Sequence, residues 1–270
     1  MREADMNTDI KIVTMIKWGV GYPADAFNRT YRALKVNLDS DVEIVCVTDD
    51  PTGLEPGIKS VPQAEIPLDR SKWNDGMWPK VALFKEDVFP TGAKVLYVDV
   101  DIAVVGDLMC FFNQIQPDEM QIIKDWKTYH EQWFPKLFPS NRGGNSSTLG
   151  FVAGDHSNIW DQFVADPDGS FANFGNDQQF ITGVAKNLRY LPEGWTGPFK
   201  KSVAPLPPLA WFSACRPKPD CRIVAFHGSP ELDDLTRRNR SDLQLLAEGF
   251  GRIRWIEAYL DAYDGPVVKK

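Results

Sequence analysis

Two aspartates, Asp99 and Asp101, follow directly on an unbroken apolar tetrad at residues 95–98. In extended backbone, residues two apart leave the chain on one face, so the two carboxylates are presented together. Two ionised carboxylates ~5 Å apart at an effective dielectric of ~20 repel by roughly 3 kcal/mol, before any cost of leaving water. A positive charge between them removes that repulsion, and hard oxygen donors suit Mg²⁺ or Mn²⁺. The carboxyl ends of strands are also where open α/β sheets hold ligands. A bare pair of this kind serves equally well as a solvated strand end before a turn, so its surroundings decide between the two.

Those surroundings alternate. Apolar runs at residues 10–16 and 42–47 flank a helical stretch at 24–38; a short strand at 58–61, a Pro-rich turn and a helical stretch at 78–89 lead into the tetrad. Strand and helix in alternation predict a mostly parallel sheet in an α/β fold, and an apolar run without a polar face predicts a strand covered on both sides. Beyond residue 106 the pattern loosens, with strands expected at 121–124, 148–153 and 222–226. Two long stretches, 125–145 and 192–219, are rich in Pro, Gly and aromatic residues and lack a helical period. Loops of that length inside a domain are usually functional. Residues 241–263 place Leu243, Leu246, Phe250, Ile253, Ile256 and Leu260 at helical spacing.

With 43% hydrophobic and 25% charged residues over 270 positions, the composition is that of a globular chain able to bury a large core, and one domain spanning 1–270 is the simplest count. The net charge of -7 speaks against nucleic acid as a partner, because phosphate-backbone binding demands a basic face. No stretch approaches the ~18 consecutive apolar residues of a spanning helix, and residues 1–9 lack an apolar leader core. The expectation is a cytoplasmic protein with at most peripheral membrane contact. Arg237, Arg238, Arg240, Arg252 and Arg254 read as a solvated basic face. The four cysteines include no C-x-x-C pair; Cys46 and Cys110 read as buried thiols, and Cys215 and Cys221, with Pro217 and Pro219 between them, as parts of a plain turn.

The stretch from Leu96 to Leu108, centred on Asp99-Val100-Asp101, resembles the D-x-D segment of the family 8-like glycosyltransferases of GT-A fold. Trp78-Pro79-Lys80-Val81-Ala82-Leu83-Phe84 resembles the helix that carries a Lys toward the donor in that family. Asn145-Ser146-Ser147-Thr148-Leu149-Gly150-Phe151 is similar to its sugar-binding segment, Asn176-Asp177-Gln178-Gln179-Phe180 to its D-Q segment and Phe226-His227-Gly228-Ser229-Pro230 to its H-x-G element. The five segments stand in the family's order across about residues 78–230, and the first strand with Thr48-Asp49-Asp50 fits its nucleotide-binding start.

The resemblance implies a metal-dependent enzyme that moves a hexose from a nucleotide-diphosphate sugar, a UDP-sugar foremost, to a saccharide or other acceptor with retention of configuration. It implies a nucleotide-binding part over about 1–110 and an acceptor part over about 111–270. Asp99, Asp101 and His227 would hold Mn²⁺ or Mg²⁺; Asp177 and Gln178 would act at the reacting sugar, and Asn145 and Ser146 would hold donor hydroxyls. Thr14, Tyr22 and Asp49 would reach the base. Lys80 and Lys200, with Lys201 and Arg142 behind them, would face the diphosphate; Lys200 lies in Gly194-Trp195-Thr196-Gly197-Pro198-Phe199-Lys200, which resembles a loop that some bacterial relatives fold over the donor. Trp126, Trp133, Phe134, Trp195 and Trp211 are candidates to stack on an acceptor, or else satellite hydrophobic clusters. The family's Lys after the H-x-G element is replaced by Glu231, which keeps open a non-catalytic carbohydrate-binding module. A D-x-D phosphatase fits less well, since its pair belongs to a first strand and the position two residues on is here Ala103.

Overall fold

The computed structural model describes residues 10–127, 129–138, 143–203, 215–236, 241, 243 and 253–265. The described strands are β1 (Lys11–Lys17), β2 (Glu43–Thr48), β3 (Lys59–Pro62), β4 (Lys94–Val98), β5 (Ile102–Val104), β6 (Met120–Lys124), β7 (Gly144–Val152), β8 (Leu188–Tyr190), β9 (Thr196–Pro198) and β10 (Ile223–Ala225). Seven of them form one sheet in the order β3-β2-β1-β4-β7-β6-β8. All pairings in it are parallel except those of β7, which runs against both β4 and β6. This is the expected α/β architecture with a mostly parallel central sheet. β5, β10 and β9 make a second, three-stranded sheet.

Period-two alternation sends successive side chains of the central strands to opposite faces. Val13, Met15, Leu96 and Val98 join one apolar layer, together with Phe27 and Leu34 of helix α1 (Ala24–Val36). That helix starts behind Pro23 in extended backbone and carries Asp25 in its first turn and Lys35 in its last, charges that complement its dipole. Ile12, Ile16, Val95 and Tyr97 join the other layer, which is built on Trp78, Phe163 and Phe180. Trp78 stacks on Phe163 with centroids 5.4 Å apart.

Three differences from the sequence reading have local causes. Residues 78–89 do not make one helix: Met77 enters in left-handed backbone (φ 58), Trp78–Phe84 winds as a tight 3₁₀ segment with Pro79 in its first turn, and Lys85 leaves it extended. All seven residues of that segment are buried, so no polar face exists to give a helical period. β7 begins four residues earlier than the expected 148, at Gly144; its first half, Asn145-Ser146-Ser147-Thr148, is polar and shows no apolar run, although Ser146 and Thr148 are buried. β5 and β9 have three residues each, too few to show a period. Of the expected terminal helix, Arg254–Tyr263 is helical; Leu246, Phe250 and Arg252 lie outside the described residues. Cys46, Cys215 and Cys221 are buried, Cys110 is partly exposed, and all four are free thiols. Among the described residues no helix is long and apolar enough to cross a membrane.

Candidate active site

The reversed course of β7 makes the site. Because β7 is antiparallel to β4, the beginning of β7 lies beside the end of β4: Val98 pairs with Thr148, and the Asp99 amide donates to the Ser147 carbonyl at 3.0 Å. Helix α2 (Met109–Phe112), helix α3 (Tyr129–Trp133), helix α4 (Ser157–Ala165) and helix α5 (Pro167–Asn173) precede helix α6 (Asp177–Val184), which starts against this same edge. Asn176 caps α6 by accepting the Gln179 amide at 2.9 Å, and the Asp177 amide donates to the Gly76 carbonyl at 2.8 Å.

Gly76 therefore fixes where Asp177 begins. Its φ is 109, a region that favours glycine, and a Cβ there would stand 2.9 Å from the Asn176 Cα. Gly76→Ala is expected to cost about 1–3 kcal/mol through backbone strain and overpacking. Urea denaturation of the variant checks this, and a loss below about 0.5 kcal/mol, the range of an ordinary surface change, counts against the close approach.

Lys80, carried by the 3₁₀ segment, is buried and sits at the centre of the cluster. Its Nζ lies 2.8 Å from Asp99 Oδ1 and 3.8 Å from Asp177 Oδ2, and donates to Ser146 Oγ at 3.4 Å. Ser146 Oγ in turn donates to Asp177 Oδ2 at 2.8 Å, and the Ser146 amide reaches Gln178 Oε1 at 3.4 Å. Five residues singled out in the sequence, from four separate segments, thus meet at one sheet edge.

The charges there do not cancel. Burial works against the Lys80 ammonium, but Asp99 and then Asp177 hold its pKa above the ordinary value. Burial pushes the Asp177 carboxyl up to about 6, with Lys80 and the Ser146 hydroxyl pulling the other way. Asp101 is pushed up to about 7, first by burial and then by the Asp99 charge, against a smaller opposing pull from Lys80. The Tyr22 hydroxyl is raised by burial and then by the charges of Asp101, Glu231 and Asp99, so Tyr22 lies within electrostatic reach of all three. Lys80 acts on all three carboxylates, Asp99, Asp101 and Asp177, and a further cation beside Asp101 would relieve the remaining negative charge.

Among the described residues no three His, Cys, Asp or Glu side chains form a ready-made metal group. The carboxylate oxygens of Asp99 and Asp101 nevertheless suit a hard divalent ion in donor type and in uncompensated charge. The chain between β10 and His227 is joined to this edge, since the Phe226 amide donates to the Asp101 carbonyl at 2.9 Å. The exposed His227 ring lies flat on Trp126, with centroids 4.6 Å apart and planes 8° apart.

Other residues read from the sequence lie elsewhere. Thr14 is enclosed within β1, and its hydroxyl donates to the Met15 carbonyl at 3.4 Å. Asp49 accepts the Gly19 amide at 3.2 Å and pairs with Arg70 at 3.5 Å. Asn145 accepts the Ser147 amide at 3.0 Å, where the pairing of β7 with β6 is irregular. Lys200 is partly buried in the helical turn Phe199–Val203 that follows β9. Trp195 packs edge-on against Phe111, a core role, whereas Trp133 and Phe134 are exposed. Arg142, Trp211, Arg237, Arg238 and Arg240 lie outside the described residues.

Tyr97 escapes a sequence reading, and so do the contacts of Trp126, which reads only as an aromatic candidate for the acceptor. Tyr97 donates to Asp99 Oδ1 at 2.5 Å, and the signal for it was the period-two spacing that puts residues 97 and 99 on one face. Trp126 donates from Nε1 to the Thr196 carbonyl at 3.4 Å and, with Leu191, Pro192 and Gly197, lines a cavity of about 560 Å³. That link depends on two distant loops and has no sequence period.

Solved structures share this fold. The galactosyltransferase LgtC, solved in complex with donor and acceptor sugar analogs, aligns with 96% of this chain and 98% of its own at 11% identity and a TM-score of 0.61. The glycosyltransferase GlyE of Streptococcus pneumoniae TIGR4, in its apo form, aligns over 95% of this chain and 61% of its own at 13% identity and a TM-score of 0.52. The bifunctional WbbM, also apo, aligns over 95% of this chain and 52% of its own at 11% identity and a TM-score of 0.50. No family model and no curated protein matches the chain. The architecture is thus that of GT-A glycosyltransferases.

Proposed function

We propose that this chain is a glycosyltransferase that moves a hexose from a nucleotide-diphosphate sugar, a UDP-sugar foremost, to a saccharide or other acceptor. The observation that carries the reading is the Lys80, Asp99, Ser146 and Asp177 cluster at the edge where β4 ends and β7 begins. Ligand sites of open α/β sheets lie at that edge, and the shared fold supports the same reading.

Each residue then has a chemical task. Asp99 and Asp101, joined by His227, would hold Mn²⁺ or Mg²⁺, which when bound supplies Lewis-acid stabilisation of the departing diphosphate. Lys80 holds Asp99 and Asp177 in register, and its charge opposes the upward push that burial exerts on Asp177. Asp177, fixed by Ser146 and Gly76, accepts hydrogen bonds from sugar hydroxyls, with Asn145 and Ser146 completing that contact. Gln178 faces the reacting carbon. Tyr22 and Asp49 border the base, a role from which the enclosed Thr14 is left out, and Lys200 adds positive charge for the diphosphate. Retention of configuration belongs to the same reading, as does action in the cytoplasm with no more than peripheral membrane contact. The acceptor would enter beside Trp126, along the cavity of about 560 Å³.

One observation favours a second reading. The Glu231 charge acts on Asp101 and Tyr22 where a diphosphate site gains from a cation, and a binding module without turnover would tolerate that carboxylate. Thermal unfolding against a panel of nucleoside diphosphates, with and without Mn²⁺, separates the two. At a ligand concentration of 100 times Kd the stabilisation is about 2.7 kcal/mol, and each kcal/mol raises Tm by roughly 2–4 °C in a chain of about this size. The expected outcome is a rise for one diphosphate that requires Mn²⁺ and disappears in the Asp99→Ala, Asp101→Ala double variant, with slow release of free sugar from the matching nucleotide sugar. Mn²⁺-dependent binding without any turnover favours the module, and no response to any nucleotide removes both donor readings.

A further inference from the structure

Tyr97 occupies a position where a phenylalanine would pack equally well. Its ring is buried in the layer behind the site, on a strand paired on both sides, with Thr14 on one and Leu149 on the other. A hydroxyl carried into that layer costs free energy unless it is bonded, and this one donates to Asp99 Oδ1 at 2.5 Å. The same oxygen receives the Lys80 ammonium at 2.8 Å, while the ammonium also lies 5.3 Å from the centroid of the Tyr97 ring. The Asp99 amide is tied to the Ser147 carbonyl, so the backbone of Asp99 is fixed as well. Two donors on one carboxylate oxygen, from two different elements, define the plane of the carboxylate and leave Oδ2 as the oxygen with lone pairs for a ligand.

We propose that Tyr97 is a positioning residue of the donor site: with Lys80 it saturates Asp99 Oδ1, so that Oδ2 is turned toward the divalent cation and the donor diphosphate. The inference rests on the donor-site reading and deepens it. Tyr97 touches neither sugar nor diphosphate; it acts through Asp99. Partners of this kind behind a metal ligand typically carry a 10–100-fold effect on metal affinity.

Tyr97→Phe removes one hydroxyl and keeps the ring. Mn²⁺ binding is measured by the loss of the free-ion electron paramagnetic resonance signal in wild type, in Tyr97→Phe and in the Asp99→Ala, Asp101→Ala double variant, with cooperative unfolding followed in parallel. The expected result is Mn²⁺ affinity about 10–100-fold weaker in Tyr97→Phe, a retained cooperative transition, and donor turnover that recovers as Mn²⁺ is raised to saturation. A purely structural tyrosine would lower Tm without moving the Mn²⁺ affinity, and that outcome overturns the proposal. Wild-type protein that takes up no Mn²⁺ overturns the donor-site reading together with this one; wild-type uptake matched by Tyr97→Phe overturns this one alone. Should the variant fail to fold, wild type labelled with 3-fluorotyrosine replaces it: a Tyr97 fluorine resonance that stays fixed through a Mg²⁺ titration counts against the proposal, and one that shifts with saturation of the site supports it.

Discussion

Asp101→Asn is expected to make the metal-free protein more stable at pH 8 while abolishing donor turnover. The Asp101 carboxyl titrates at about 7 in the fold against an ordinary value of 3.8, because burial and the neighbouring Asp99 disfavour its charge. A folded-state pKa above the unfolded one means that stability is fully present below about 4 and declines as pH rises through about 7. The asparagine keeps the shape and removes the charge, so it should unfold about 1–3 kcal/mol less readily at pH 8 and close to wild type at pH 4, read from urea transitions in chelator. Turnover should fall by roughly 10³-fold, the scale of losing a main electrostatic contact to developing charge. An asparagine variant that is less stable at pH 8, or that retains its activity, contradicts the assignment. The expected exchange of stability for function is the behaviour of a residue held in place for its ligand.

Lys80→Met should act in the opposite direction. It leaves the partly buried Asp99 and the buried Asp177 around an apolar chain, and removing one partner of a buried ionic cluster costs about 3–5 kcal/mol. The sign with pH follows from Asp177, whose carboxyl already lies at about 6 with Lys80 restraining it. Without the ammonium that value rises further, so the stability lost on ionising Asp177 is lost over a window reaching above 6. The deficit relative to wild type should therefore be largest near pH 8 and shrink toward pH 5. Urea midpoints at the two pH values measure it directly, and a deficit independent of pH would mean that Lys80 acts by packing rather than by charge.

Much of this arrangement was legible in the residues because strand ends and buried charges leave compositional marks. The apolar runs gave the central strands to within a few positions, and the carboxylates at 99 and 101 stood where such a sheet ends. What linked Lys80, Ser146 and Asp177 was their order along the chain, since nothing in their local patterns requires three separate segments to meet. The failures have specific physical origins. Thr14 was expected near a strand end, but β1 continues to Lys17 and encloses it. The Trp78–Phe84 segment, buried on every side, carried no period to distinguish a 3₁₀ winding from a helix. Tyr97 was hidden inside an apolar tetrad, where a phenol reads as another hydrophobic residue. The stack of Trp126 on His227 joins two loops that share no local rule.

The reversed strand also ties chemistry to folding order. β7 can enter the sheet only between β4 and β6, and only that insertion brings Ser146 to Lys80, sixty-six positions away in the chain. Contacts of such separation form after local structure, because loop closure must precede them. A chain with α1 and its first strands in place but β7 unpaired would be compact and yet lack the cluster of Lys80, Ser146 and Asp177. On the proposed reading, nucleotide binding therefore reports closure of the whole sheet, and substitutions along β6 or β7 that slow this insertion will look, in a binding assay, like damage to the Lys80, Ser146 and Asp177 cluster itself.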